Sequence, residues 1–140
     1  MQVGPLGRPE LRGALSISVS VSHARGWILA AIAKRARIGV DIEVVTAVFD
    51  QASLVRRACN GVEVDAIAAA PPGERRALVA DLWTQKEAAL KAHGRGLRDD
   101  PRKVHEDATN IIRLRHGITG LSACCVILPA GENATADLRS

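Results

Sequence analysis

Aromatic side chains are nearly missing from this sequence. Trp27, Trp83 and Phe49 are the only ones in 140 residues, and there is no tyrosine. A core must therefore be built from Ala, Val, Leu and Ile, and the stacking platforms that grip single-stranded nucleic acid are lacking. Cysteine is scarce as well. Cys59, Cys124 and Cys125 make an odd count, with no Cys-x-x-Cys pair and no Cys/His spacing of a zinc site. That pattern argues against a disulfide framework and suits buried thiols in a reducing compartment. No apolar run approaches the ~18 residues of a membrane span, and no signal-peptide pattern opens the chain. The expectation is a cytoplasmic protein with no membrane partner and no nucleic-acid partner.

What is present fits one domain, residues 1–140, with a single core. The net charge is +4, and much of the positive charge is arginine: Arg8, Arg12, Arg25, Arg35, Arg37, Arg56 and Arg57 among others. Such a balance suits an anionic partner, whether nucleic acid, a phosphate-rich cofactor or an acidic protein; it equally suits a merely solvated surface.

Residues 1–13 are rich in Gly, Pro and Arg and read as an extended arm. From Leu15, apolar Leu15, Ile17, Val19 and Val21 alternate with Ser16, Ser18, Ser20 and Ser22, which predicts a strand with one polar face. Ala24-Arg25-Gly26 reads as a tight turn. Trp27 to Ala33 is nearly all apolar and reads as a buried second strand. Ile38 to Val45 follows as a third, completing an antiparallel meander. Gln51–Cys59 and Val62–Ala70 are short helix candidates, with Asn60-Gly61 read as a stop between them. Glu74 to His93 is the best helix, free of Gly and Pro and ended by Gly94 and Gly96. A short strand near Lys103, two more over Asn110–Arg115 and Leu121–Leu128, and a frayed tail from residue 131 complete the reading. The predicted class is α+β: an antiparallel sheet of about five strands packed against one long helix and shorter ones.

Two groups of residues carry chemistry. Asp41 and Glu43 stand two apart on a predicted strand, so their carboxylates share a face. Side by side they repel, and burial worsens the repulsion unless a cation sits between them. Mg²⁺ is the natural oxygen-liganded cation beside a phosphorylated substrate; a solvated acidic strand edge is the plain alternative. Glu87 and Lys91 stand four apart on the long helix and share a side, with Trp83 one turn before. An exposed ion pair needs no tryptophan beside it, so this side is expected to be covered. Lys86 lies about 100° round the helix and is placed to reach a phosphate at the rim. Ser22-His23 ends the first strand, and Arg8 precedes Pro9 on the arm.

In order and separation, Gly39-Val40-Asp41-Ile42-Glu43 and Trp83-Thr84-Gln85-Lys86-Glu87-Ala88-Ala89-Leu90-Lys91 resemble the hallmark segments of the phosphopantetheinyl transferase superfamily. Members move the 4′-phosphopantetheine arm of coenzyme A onto a serine of a carrier protein. Asp-x-Glu with a Ser-His pair ahead of it points to the surfactin-synthetase-activating branch. Gly7-Arg8-Pro9 and Gly94-Arg95-Gly96-Leu97 are similar to that branch's Gly-Lys-Pro loop and Gly-Lys-Gly-Leu segment. The resemblance implies Asp41, Glu43 and Glu87 as Mg²⁺ ligands, with Asp41, Glu87 and Lys91 as the catalytic group. Glu87 would take the serine proton and Lys91 would serve the departing 3′,5′-ADP. Arg8, Ser22, His23, Lys86, Lys91 and Gly94 would hold coenzyme A. It also implies an apo acyl or peptidyl carrier protein as partner, in fatty-acid, polyketide or nonribosomal-peptide synthesis. That branch has two similar halves, and this chain matches only the second. The resemblance therefore implies a homo-oligomer, a trimer being one such arrangement, or else a half-enzyme that only binds coenzyme A or a carrier. Where relatives carry a phenylalanine pair, Arg57-Ala58-Cys59 stands here, which leaves the choice of carrier open. A small nucleic-acid binder ranks last, for want of a basic recognition helix.

Overall fold

In the computed structural model, which describes residues 2–3, 9–11, 16–94, 99–104 and 110–130, the first residues are more than an arm. Gln2–Val3 (β1) and Pro9–Leu11 (β2) are short antiparallel strands laid beside Ile17–Ala24 (β3). β3 pairs antiparallel with Trp27–Lys34 (β4) from Ile17↔Lys34 to Ala24↔Trp27. Arg25 and Gly26 make the two-residue connection with φ of 42° and 84°. Two positive φ values in succession belong to a hairpin turn whose twist matches the strands, and glycine accepts the second without strain.

The predicted meander stops there. Ala36–Val44 (β5) does not continue the β3–β4 ladder but starts a second sheet, pairing along its whole length with Leu121–Pro129 (β7). Ile111–Arg113 (β6) pairs with the far side of β7. The result is a four-stranded sheet, β1-β2-β3-β4, and a three-stranded sheet, β5-β7-β6, seven strands among the described residues where about five were expected.

The serine row explains the break. Val40 N–H donates to Ser20 Oγ (3.0 Å), Ile42 N–H donates to Ser22 Oγ (3.2 Å), and Ser18 Oγ–H donates to Ala36 O (2.9 Å). Hydroxyls thus replace ladder partners between β3 and β5. The serine face expected to be the polar side is turned inward, with Ser20 and Ser22 buried, whereas Val21 is 48% exposed. β4 is likewise not buried throughout: Trp27, Ile28, Ala30 and Ile32 are exposed, and Ile28 and Ile32 reach 76% and 71%. A period of two shows that the faces differ without saying which one is covered.

The β5-β7-β6 sheet is the middle layer. On one side Ile38, Val40 and Cys125 pack with Leu29, Ala31 and Ala33 of β4. On the other, Cys124, Val126 and Leu128 pack against Ala88, Ala89 and Ala92 of Arg75–His93 (α3). All three cysteines are free and buried. Ala52–Ala58 (α1) and Gly61–Ala69 (α2) precede α3. Asn60 is a start rather than a stop: its side chain accepts from Glu63 N–H (3.0 Å), and Glu63 Oε2 accepts from Asn60 N–H (2.8 Å). This reciprocal capping box satisfies two donors at the head of α2. The expected strand near Lys103 is a 3-10 turn, Pro101–Lys103. Beyond residue 130 the predicted frayed tail lies outside the described residues.

Candidate active site

Gly39 sets the site. A Cβ at this position would stand 1.9 Å from Ala88 O and 2.4 Å from Ala92 N, both backbone atoms of α3. Only glycine lets helix and strand approach so closely, and alanines on the helix complete the fit. The next two residues on the same face of β5, Asp41 and Glu43, then look onto the side of α3 that carries Trp83, Glu87 and Lys91.

Contacts across the seam are specific. Lys91 Nζ donates to Val40 O and to Asp41 Oδ1, each at 2.9 Å. Ser22 Oγ–H donates to the same Asp41 Oδ1 at 2.9 Å. Trp83 Nε1–H donates to Glu43 Oε1 at 3.3 Å. Arg57 on α1 lies over the Trp83 ring, its guanidinium carbon 5.9 Å from the centroid. Asp41 is 5% exposed. Its second oxygen, Oδ2, and Glu87 Oε1 are buried with no hydrogen-bond partner.

The electrostatics follow from that burial. Loss of water pushes the Asp41 carboxyl up, against the opposing pull of Lys91 and Ser22. Burial also pushes up Glu43 and Glu87, and the Asp41 charge adds to both. Three carboxyls raised together by desolvation and mutual repulsion ask for a cation. Two bare, buried carboxylate oxygens are the acceptors a hard cation would satisfy, and an all-oxygen donor set suits Mg²⁺. Among the described residues no three His, Cys, Asp or Glu side chains are already drawn together as an ion-holding group; in this arrangement the Lys91 ammonium occupies Asp41.

Sequence comparison places the chain in a family. A family model for the 4′-phosphopantetheinyl transferase superfamily matches residues 37–132, which include all of these residues except Ser22. The chain belongs to the 4′-phosphopantetheinyl transferase superfamily. A Synechocystis sp. protein provisionally named a 4′-phosphopantetheinyl transferase is 32% identical over 106 residues, covering 74% of this chain and 43% of its own. The 4′-phosphopantetheinyl transferase psf-1 of Bacillus pumilus is 27% identical over 112 residues, 77% of this chain and 47% of its own. The chain spans less than half the length of these curated relatives. A solved structure of Thermotoga maritima holo-[acyl-carrier-protein] synthase overlaps 67% of the chain and 63% of its own at 16% identity, with a TM-score of 0.43.

Within this superfamily member, Asp41, Glu43, Glu87, Lys91 and Ser22 come together in one seam. Lys86 does not join them. It is 3% exposed, and its ammonium donates to Ala58 O (2.7 Å), Glu63 Oε2 (2.6 Å) and Pro101 O (3.0 Å). The expectation that it reaches a phosphate at the rim is therefore corrected: the 100° offset from Glu87 points it behind the helix, into the join with α1, α2 and the Pro101 turn. His23 follows Ser22 on β3, so it faces the outer side of the sheet, and it is exposed. Gly94 caps α3 in a left-handed conformation, φ 70°, its N–H donating to Leu90 O and Lys91 O. Arg8 lies outside the described residues, as do residues 95–98.

Two members of the site were only half legible. Trp83 was read only as a sign that its side of the helix is covered, and its N–H also fixes Glu43. Arg57 went unrecognised as a neighbour of the site; the available signal was its place in the segment where the family resemblance leads one to expect phenylalanine.

Proposed function

We propose that the chain transfers the 4′-phosphopantetheine arm of coenzyme A to a serine of an apo acyl or peptidyl carrier protein, with Mg²⁺, releasing 3′,5′-ADP. The observation that carries this reading is the seam itself. Asp41 is buried and Glu43 and Glu87 are half-buried along one seam, with Asp41 Oδ2 and Glu87 Oε1 covered and unpartnered and Lys91 alongside. Asp41, Glu43 and Glu87 are the residues that would hold Mg²⁺. Bound there, the ion would neutralise the pyrophosphate and the charge developing on the leaving group.

The chain's own groups divide the remaining work. Glu87, its basicity raised by burial, takes the proton of the carrier serine hydroxyl. The serine oxygen forms a new bond to the phosphorus that bears the pantetheine arm, and the P–O bond to 3′,5′-ADP breaks. Lys91, one turn along α3, compensates the charge on the departing phosphate through Nζ. Ser22 orients Asp41. His23, Gly94 and Arg8 are assigned to the coenzyme A cradle, and Lys86 to the frame behind it.

A basic enzyme surface suits acidic carriers, so association weakens with salt. The outer face of β3–β4, with Val21, Ile28 and Ile32 uncovered, supports the proposal of a homo-oligomer, for which a trimer is the first arrangement to test by light scattering; a cytoplasmic location is proposed with it. The test of activity is the mass gain of the arm on apo carriers of fatty-acid, polyketide and nonribosomal-peptide synthesis, given coenzyme A and Mg²⁺. No gain on any carrier rejects the proposal, as does full activity of Glu87→Ala. The short span against relatives favours one second reading, a half-enzyme that binds coenzyme A or a carrier without turnover. Calorimetric coenzyme A binding with no mass gain selects it.

A further inference from the structure

The Lys91 side chain makes an arrangement that the transfer reaction alone does not require. Its ammonium is held by a backbone carbonyl, Val40 O, and by Asp41 Oδ1, both at 2.9 Å. Asp41 Oδ1 is also taken by Ser22, while Oδ2 of the same carboxylate and Oε1 of Glu87 have no partner. One side chain thus puts a single positive charge into a group of three carboxylates, and its own side chain is two-thirds covered, 33% exposed. A monovalent ammonium with directional bonds cannot satisfy three carboxylates; a divalent cation with several oxygen ligands can.

We infer that Lys91 is a tethered stand-in for the cation: it holds Asp41 while the metal is away, and metal binding releases it from Asp41. This rests on the reading above that Asp41, Glu43 and Glu87 hold a divalent ion. The two positive groups compete for Asp41, so the lysine weakens metal affinity and, in return, offsets the repulsion among the carboxylates. The tether to Val40 O lies one residue from Asp41, so the freed ammonium stays at the site. The cation therefore enters before Lys91 becomes available to any incoming phosphate.

The test needs no substrate. The whole 140-residue chain carrying Trp27→Phe, which leaves Trp83 as its only tryptophan, is titrated with Mg²⁺ and with Mn²⁺ in the absence of coenzyme A. Calorimetry gives affinity, and Trp83 emission reports the neighbourhood of Glu43. Lys91→Met removes the competing charge and is expected to bind the cation about tenfold more tightly, since a charge-assisted contact is lost from the metal-free state alone. Lys91→Arg keeps a cation on Asp41 and is expected to stay within about threefold of the parent. In melting experiments Lys91→Met is expected to be less stable than the parent without metal and to close that gap at saturating Mg²⁺.

Equal or weaker cation binding by Lys91→Met, with binding intact in the parent, overturns the inference and leaves the metal site standing. Absence of binding in the parent and in both variants overturns the metal site and this inference together. Should Lys91→Met fail to fold, Lys91→Arg decides: an affinity raised about tenfold despite the retained charge counts against the stand-in role.

Discussion

Replacing Gly39 by alanine tests the central contact of the molecule. The added Cβ would lie 1.9 Å from Ala88 O and 2.4 Å from Ala92 N. Ordinary contact begins near ~3.4 Å, so α3 must retreat from β5 by about 1.5 Å or bend. Inserting a methyl group into a packed core costs about 1–3 kcal/mol when side chains can yield. Here the obstacles are backbone atoms of a 19-residue helix, and Ala88 and Ala92 are fully buried. The upper end, ~3 kcal/mol or more, is expected, which corresponds to a fall in Tm of roughly 10 °C for a chain of this size. Urea and thermal unfolding measure it. Any protein that still folds should also lose divalent-cation binding, because the retreat carries Glu87 and Lys91 away from Asp41. Gly61→Ala is the matched control. Nothing lies within 4 Å of that Cβ, and the residue opens α2; a change between zero and about 1 kcal/mol of stabilisation is expected. A Gly39→Ala protein within about 1 kcal/mol of wild type, with cation binding intact, would refute the close-approach reasoning.

Lys86→Met should cost about 3 kcal/mol in urea unfolding, since it strands half-buried Glu63 and two carbonyls without their donor; a loss under about 1 kcal/mol would mean those groups find water. Asn60→Ala should cost about 1 kcal/mol through the capping box, read by the same assay. Asp41, Glu43 and Glu87 all have carboxyls raised above their ordinary values, chiefly by burial. Between the ordinary and the raised value the folded state binds more protons than the unfolded one, so this contribution is present at low pH and is lost as pH rises through the raised carboxyl range. Metal-free melting temperatures should therefore show a downward component above about pH 4 that Glu87→Gln diminishes and saturating Mg²⁺ opposes. An unchanged profile in Glu87→Gln would count against a strained carboxylate group.

Much of the site was legible because its spacings are geometric. Asp41 and Glu43 share a face by strand period, and Glu87 and Lys91 share a side by helix period; the structure then sets one pair against the other. The fold class, the three helices and the last strand were also readable, with ends shifted by a residue or so. Three features were not. Alternation from Ile17 to Ala24 says that two faces differ, and serine is ordinarily the outer one. Here serine hydroxyls bond the backbone of β5, so the polar row went inside. Asn-Gly serves both turns and helix caps, and only Glu63 three residues on distinguishes the two. Lys86 is charged, and a charged side chain is expected at the surface; its three acceptors come from segments 15 to 28 residues away in sequence, which no local pattern announces.

The hydroxyl row between β3 and β5 also has a bearing on solubility. β5 is the border strand of its three-stranded sheet, and its outward N–H groups would invite the strand of another molecule to add on. Ser20 and Ser22 occupy the N–H groups of Val40 and Ile42, and Ala36 O receives Ser18. The border is thereby closed by side chains rather than by a further strand. Serine-to-valine changes here would keep the strand pattern and reopen a template for intermolecular β-pairing, so the first symptom of losing these hydroxyls should be aggregation.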